Sequence, residues 1–303
     1  MDYLALAMAG ILYGGVVFGG KLLANMGATL SDVMLYPNLI SMLVVLYPAR
    51  RDAAKIFGQP RSVTLLFLGA MFFINVGQYA PLFLKVPVSL VVILLYLQPL
   101  WTILIERFYF GKKQTMRTWG LAVALLAGMF ILINPFQASA FSPLGILLSL
   151  LGGLGLSVWV IVTQRFSEQG VSGYGTFFAA SLYSVLPVAL LVGGLTHFFP
   201  GNETYRLTLV GDAGYWTAFL FYSLAFFVLP NILVFRHNKN VPAAVTGMIL
   251  MLEPVSGVIL DVLFLHTALT WNILLGGGMI LIANTVLILT SRGVPEEKPR
   301  TTK

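Results

Sequence analysis

Glu253 is the acidic residue whose position in the chain most strongly suggests chemistry. It lies near the middle of a long apolar stretch and directly precedes Pro254. Ionisable side chains inside a membrane-spanning helix are costly and commonly belong to a functional site. Because burial disfavours the charged form of a carboxyl group, Glu253 is a candidate for proton exchange or cation binding. The alternative is a structural role, in which nearby hydroxyls and amides bond to it.

Other polar and aromatic side chains within apolar stretches could share a cavity with this carboxyl group. Asn75 and Gln78 lie three residues apart, on one face of a helix, and Tyr79 follows them. Deeply placed tyrosine and tryptophan rings can stack on an aromatic solute or surround a quaternary ammonium group, although core packing also explains them. We predict a substrate cavity lined by Tyr13, Asn75, Gln78, Tyr79, Tyr96, Gln98, Trp159, Tyr222 and Glu253.

Two further charged residues lie toward the ends of apolar stretches. Lys21 falls near the outer end of the first stretch, and Asp261 falls near the outer end of the ninth. Asp261 could pair with Lys21 or with Lys85 as an outer gate, and Lys21 could also contact a substrate carboxylate or phosphate. The simpler interpretation of Lys21 is a lysine that extends its ammonium group to the membrane interface.

The sequence lacks the residues that most catalytic and metal-binding sites require. It contains no cysteine, which excludes disulfides and thiolate metal sites, and its three histidines have no metal-ligand spacing. It contains no phosphate-binding Walker A loop and no Gly-x-Ser-x-Gly motif. We therefore expect a protein that is not an enzyme and that uses neither a metal nor a cofactor.

Composition and hydropathy predict an all-α membrane protein. Hydrophobic residues make up 58% of the 303 residues and charged residues only 10%, against about 25% charged residues in soluble domains. Each apolar stretch approaches the ~20 residues that a transmembrane helix needs. We predict ten transmembrane helices, at about 3–24, 32–48, 63–84, 86–106, 116–134, 143–165, 175–197, 214–235, 243–264 and 271–290.

The distribution of lysine and arginine predicts the orientation. With the N-terminus in the cytoplasm, the outside loops hold only Lys85 and Arg206, and almost all other lysines and arginines fall in inside segments. This bias follows the positive-inside rule and places both termini in the cytoplasm. The net charge of +7 is thus explained by orientation and by contact with anionic lipid, so we do not expect nucleic acid as a partner.

A repeated pattern divides the chain into two halves. A single offset of 155 residues aligns Leu97 with Leu252 and Pro99 with Pro254, and it also aligns the later Thr115 with Thr270. We predict two five-helix repeats, at 1–135 and 143–290, followed by a disordered cytoplasmic tail at 291–303. Because five is an odd number, the two halves insert with opposite orientation and form an inverted repeat, as in many transporters.

These motifs resemble the drug/metabolite transporter superfamily, and within it the ten-helix EamA-type transporters. The resemblance rests on Tyr96-Leu97-Gln98-Pro99-Leu100-Trp101 leading to Phe110-Gly111 and Thr115, and on Met251-Leu252-Glu253-Pro254-Val255 leading to Leu265 and Thr270. It implies a basket-like arrangement of helices around a central cavity. It also implies movement of small organic solutes, often amino acids or related metabolites and usually outward.

We therefore expect a secondary transporter in the plasma membrane of a prokaryote that exports small polar organic solutes by alternating access. Amino acids or related metabolites are the expected substrates, and the energy source is either the proton gradient, through Glu253, or the gradient of the solute. Two alternatives remain at this point: a transporter of organic cations such as choline-like amines, and a non-transporting membrane partner subunit. The sequence leaves a homodimer open.

Overall fold

The described part of the chain is helical throughout. The computed structural model describes residues 1–84, 86, 88–111, 114–133, 142–208, 212–264 and 269–291. Within these residues, nine helical segments are long and apolar enough to cross a membrane, and the segment Met116–Leu132 is shorter. Together they correspond to the ten apolar stretches of the sequence. The tail at 291–303 lies outside the described residues except for the backbone of Ser291, where the last helix ends.

The first half of the chain contains five spans, of which the second and fourth are composite. A turn of 3-10 helix at Arg50–Asp52 joins the second span to a short helix on the surface. The helices are α1 (Asp2–Asn25), α2 (Leu30–Ala49), α3 (Ala53–Phe57), α4 (Arg61–Phe83), α5 (Val88–Leu95), α6 (Gln98–Phe108) and α7 (Met116–Ile133).

The second half also contains five spans. Its third span is irregular, because a stretch of π-helix at Ser223–Val228 separates two α-helical parts. Pro230 lies two residues after the π-helix and has no N–H to donate to the preceding turn. The helices are α8 (Pro143–Glu168), α9 (Gly173–Phe198), α10 (Ala213–Tyr222), α11 (Leu229–His237), α12 (Ala243–Leu250), α13 (Leu252–Phe264) and α14 (Trp271–Ser291).

The apolar stretches 86–106 and 243–264 are each two helices and not one. The first breaks between Leu95 and Gln98, and the second breaks at Met251. Pro99 and Pro254 explain both breaks, since proline removes a backbone donor and its ring crowds the preceding turn. The breaks therefore fall at the two copies of the repeated sequence motif.

Two threonines at equivalent sequence positions also occupy equivalent structural positions. Thr115 precedes α7, and its hydroxyl accepts a hydrogen bond of 3.2 Å from the backbone N–H of Thr118. Thr270 precedes α14, and its hydroxyl accepts one of 3.4 Å from the N–H of Ile273. A side-chain oxygen at this position satisfies a backbone donor that the first helical turn leaves free, which explains why each helix begins where it does.

The packing of the helices follows the repeat. When each span is replaced by the span five places along the chain, one pair of packed spans becomes another pair that also packs together. The span α2 packs against α9, and α7 packs against α14, so each of these pairs maps onto itself. The contact of α4 with α8 has its counterpart in that of α10 and α11 with α1. The contact of α1 with α13 has its counterpart in that of α8 with α5 and α6.

The loop after α9 is fastened to the start of α2 by a buried carboxylate. Asp32 is fully buried and accepts hydrogen bonds from the N–H of Thr29 at 2.9 Å, the N–H of Thr208 at 2.8 Å and the hydroxyl of Tyr215 at 2.8 Å. The Ser31 hydroxyl donates to the carbonyl of Tyr205 at 2.7 Å. These bonds connect α2, the loop and α10 at one end of the helix bundle.

The opposite end holds the N-terminus and has polar contacts of its own. Asp2 pairs with His237 at 2.6 Å and accepts a hydrogen bond of 3.0 Å from the amide of Asn240. Asp52 accepts hydrogen bonds from the backbone N–H and the hydroxyl of Ser172. Both contacts join elements from different halves of the chain, so each end of the bundle is tied across the repeat boundary.

Candidate functional site

A cavity of about 550 Å³ lies between the two halves of the protein. Both helix breaks contribute to its wall, through Tyr96 and Gln98 on one side and through Glu253 and Pro254 on the other. Sites for small molecules usually have volumes of about 300–1,000 Å³, so the cavity has the size of a site for a metabolite.

All nine side chains that the sequence suggested as cavity-lining residues lie in this wall. The structure thus brings together residues from six different helices and from one helix break. Their contact with a substrate stays a prediction. They are Tyr13, Asn75, Gln78, Tyr79, Tyr96, Gln98, Trp159, Tyr222 and Glu253.

Four tyrosines surround Glu253. The Tyr96 hydroxyl is placed for a side-chain hydrogen bond with the carboxyl group. Tyr13, Tyr79 and Tyr222 lie close enough to interact with it electrostatically. The four rings come from α1, α4, the α5–α6 break and α10, so packing of the two halves is what assembles this group.

Gln98 occupies in the first half the place that Glu253 occupies in the second. The Ser157 hydroxyl of α8 donates to the Gln98 backbone carbonyl at 2.7 Å, and Gln98 is only 4% exposed. Its amide Nε2 is buried and lacks a hydrogen-bond partner among the described residues. A Cβ added to Gly247 would lie 2.5 Å from this nitrogen, so the amide packs against α12.

The Glu253 segment is held against α1 by a close helix contact. The Ser256 hydroxyl lies 2.9 Å from the carbonyl oxygens of both Ile11 and Glu253. A Cβ at Gly14 would lie 2.8 Å from the Glu253 carbonyl oxygen, and real side chains avoid such a distance. Gly14 therefore allows α1 to approach the helix that positions the carboxyl group.

Three asparagines in the wall use their amide nitrogens on their own helices. Asn38, Asn75 and Asn231 donate to the carbonyls of Met34, Met71 and Phe227 at 2.8, 2.7 and 2.8 Å. Each bond reaches back four residues and uses one of the two amide N–H groups. The side-chain carbonyl oxygens remain as hydrogen-bond acceptors in the wall of the cavity.

The sequence analysis missed several polar residues of the wall. Asn38 and Ser41 of α2 and Ser181 and Ser184 of α9 line the cavity. Each pair has the three-residue spacing that drew attention to Asn75 and Gln78, so the same signal was present in the sequence. The stretch containing α2 also has Pro37 inside a continuous helix. This proline made it difficult to predict which face of the helix turns toward the cavity.

Two of the aromatic residues also have clear packing roles. The Trp159 ring stands edge-on to Phe235, with 5.6 Å between centroids, and Trp159 is 9% exposed. The Tyr222 hydroxyl donates to the carbonyl of Val16 at 3.0 Å. Both residues therefore stabilise the wall itself, as well as presenting part of a ring to the cavity.

The suggested outer gate cannot be located from the described side chains. Lys21 lies in α1 and Asp261 in α13, but both side chains fall outside the described part of the structure. The pairing of Lys21 with Asp261 stays a prediction.

The charge of the described wall is one-sided. Glu253 is its single ionisable acid, and no lysine, arginine or histidine belongs to the described lining. In the described part of the chain no group of three histidine, cysteine, aspartate or glutamate residues could hold a metal ion. The chemistry that this wall offers is therefore binding through one carboxyl group, aromatic rings and neutral polar atoms.

Comparison with known proteins gives one family match. Residues 143–289 match the EamA-like transporter family. The resemblance predicted from the sequence is confirmed. The EamA-like match covers the half of the chain that contains Glu253, and with the apolar helices it identifies a multi-pass membrane protein with the features of a drug/metabolite transporter.

Solved structures extend the likeness of fold to the whole chain. One crystal structure of another protein superposes with a TM-score of 0.76, covering 96% of this chain and 97% of that one, at 17% sequence identity. At this identity the likeness concerns the fold alone. A search of curated proteins found no match to the sequence.

Proposed function

We propose that the protein is a secondary transporter that moves small polar organic solutes through the 550 Å³ cavity by alternating access. The substrates carry an amino group and belong to the amino acids and related metabolites. The observation that carries this proposal is the convergence of Glu253 and four tyrosines on one cavity between the halves. A non-transporting partner subunit would have no use for such a cavity.

We further propose that the two halves, 1–135 and 143–290, are inverted repeats with both termini in the cytoplasm. Exchange of each span with the one five places later preserves the packing partners. The helix breaks and the caps at Thr115 and Thr270 follow the same exchange. In transporters of this kind the substrate site lies at the repeat interface, beside discontinuous helices, which is where this cavity lies.

Glu253 couples transport to protons in this proposal. The carboxyl group lies within an apolar wall, where its neutral form is favoured over an unpaired charge. It releases its proton when a positively charged amino group arrives, and it takes a proton back after the substrate leaves. With protons entering the cell, this exchange exports the solute across the plasma membrane of a prokaryote.

Transport in proteoliposomes tests the proposal. Purified protein is reconstituted, and uptake of labelled amino acids and amines is measured with and without an imposed pH gradient. We expect the gradient to accelerate uptake by the wild type. In Glu253→Gln we expect the acceleration to disappear.

The matched control is Glu203→Gln, since the Glu203 side chain is 87% exposed in a loop, and this variant should behave as the wild type. Saturable uptake that ignores the gradient in every variant would contradict proton coupling. Absence of uptake by correctly folded protein would contradict the transporter itself.

A further inference from the structure

We propose that the cavity selects organic monocations that lack a carboxylate, and that it exchanges each of them for one proton. The inference rests on the proposed transport through this cavity and narrows its substrate class. Among metabolites that carry an amino group, the cavity favours an amine over the corresponding amino acid. The amine differs from that amino acid by the loss of the carboxylate.

The charged groups of the described wall favour a monocation. A monocation entering the cavity finds one carboxyl group to pair with, Glu253, and no described cationic side chain that would repel it. An amino acid brings a carboxylate as well. A buried charge without a partner is strongly unfavourable, and the described wall supplies no lysine, arginine or histidine as that partner.

The neutral polar groups point the same way. Asn38, Asn75 and Asn231 each use one amide N–H on their own helix, and their carbonyl oxygens are acceptors, which an ammonium group needs and a carboxylate cannot use. Gln98 is one of the neutral donors available to a carboxylate, beside Gln78 and the hydroxyl groups of the wall. Its Nε2, however, is buried against Gly247 and does not reach the cavity surface.

The aromatic rings around Glu253 add to the preference for a cation. Tyr13, Tyr79, Tyr96 and Tyr222 line the same cavity as this carboxyl group. The faces of aromatic rings attract ammonium groups through the negative charge of the ring face. A carboxylate gains nothing from the same faces.

The ratio of protons to substrate follows from the repeat. The position equivalent to Glu253 in the first half is Gln98, which does not ionise, so the cavity has one described acid where a symmetric site would have two. Of the elements packed on α13, α14 contains no ionisable residue and α1 contributes Tyr13 to the wall. One carboxyl group holds either one proton or one cation, so exchange of a monocation is electroneutral.

Chemically matched pairs test the substrate class. Proteoliposomes containing the full-length protein are assayed with tryptamine against tryptophan, tyramine against tyrosine, and choline against glycine betaine. In each pair the ammonium group is kept and the carboxylate is present or absent. We expect the amine to be transported with a kcat/KM higher by roughly ten-fold or more, and the amine flux to follow the pH gradient.

A potassium diffusion potential tests the ratio of one proton per cation. Because the proposed exchange moves no net charge, we expect amine flux to be unchanged by the potential at a fixed pH gradient. Flux that responds to the potential would overturn the proposed ratio.

The variant Lys21→Gln tests an alternative explanation. In that alternative, the Lys21 ammonium group is the partner of a substrate carboxylate. We expect this variant to keep the amine preference. Wild-type transport that favours the amino acids, and that Lys21→Gln abolishes, would overturn the inference while leaving the proposed transporter intact. Absence of flux for every member of the pairs would overturn both.

Discussion

At the scale of single residues, two buried carboxyl groups of this chain have opposite surroundings. Asp32 receives hydrogen bonds from two backbone N–H groups and a tyrosine hydroxyl, so the surrounding protein holds it in a structural role. Among the described side chains, Tyr96 is the one placed for a hydrogen bond with Glu253, and Glu253 faces a cavity. A carboxyl group that is incompletely satisfied by the protein is free to exchange partners, as a transport site requires.

The structural role of Asp32 gives a prediction. Tyr215→Phe removes one of its three hydrogen bonds, and a hydrogen bond to a charged group contributes about 1.5–3 kcal/mol. We expect the free energy of unfolding in detergent to fall by about that amount. The control is Tyr109→Phe, because Tyr109 is 80% exposed; an equal loss in both variants would show that the bond to Asp32 is not the cause.

At the scale of elements, the broken helices depend on close approach by their neighbours. A Cβ at Gly14 would lie 2.5 Å from the backbone nitrogen of Gly257 and 2.8 Å from the Glu253 carbonyl oxygen. Backbone atoms on a packed helix cannot yield as a flexible side chain would. The glycine therefore fixes how closely α1 supports the segment that carries the carboxyl group.

Gly14→Ala tests this contact. Overpacking of a buried interface commonly costs about 1–3 kcal/mol, so we expect a lower unfolding temperature together with reduced transport. Gly69→Ala in α4 is the matched control, because a Cβ there meets nothing within 4 Å and alanine favours the helix. Comparable losses in the two variants would contradict the role assigned to Gly14.

At the scale of the whole molecule, the proposed orientation can be read with single cysteines, because the natural chain has none. Gly201 and Gln169 are both exposed and lie at opposite ends of the helix bundle. We expect a membrane-impermeant maleimide to label Gly201→Cys in intact cells. Gln169→Cys should react only after the membrane is permeabilised, and the reverse pattern would contradict cytoplasmic termini.

The sequence by itself determined the all-helical architecture. Apolar stretches of about 20 residues in a chain with so few charges have only one common solution, because helices satisfy their own backbone groups in lipid. Pro99 and Pro254 act locally, through the missing N–H, which explains the breaks in two stretches that the sequence analysis treated as single helices. The unequal lengths of the helices on either side of each break could not be predicted from the sequence.

Only the tertiary structure decided which polar residues face the same space. The helical period indicates a shared face within one span, as for Asn75 and Gln78, but it says nothing about the rotation of one span relative to another. That rotation is set by contacts such as Gly14 against Gly257 and Ser157 against Gln98, which join residues distant in the chain. The grouping of four tyrosines around Glu253 depends on these contacts, because hydrophobicity in lipid specifies that a helix is buried and not which side it turns inward.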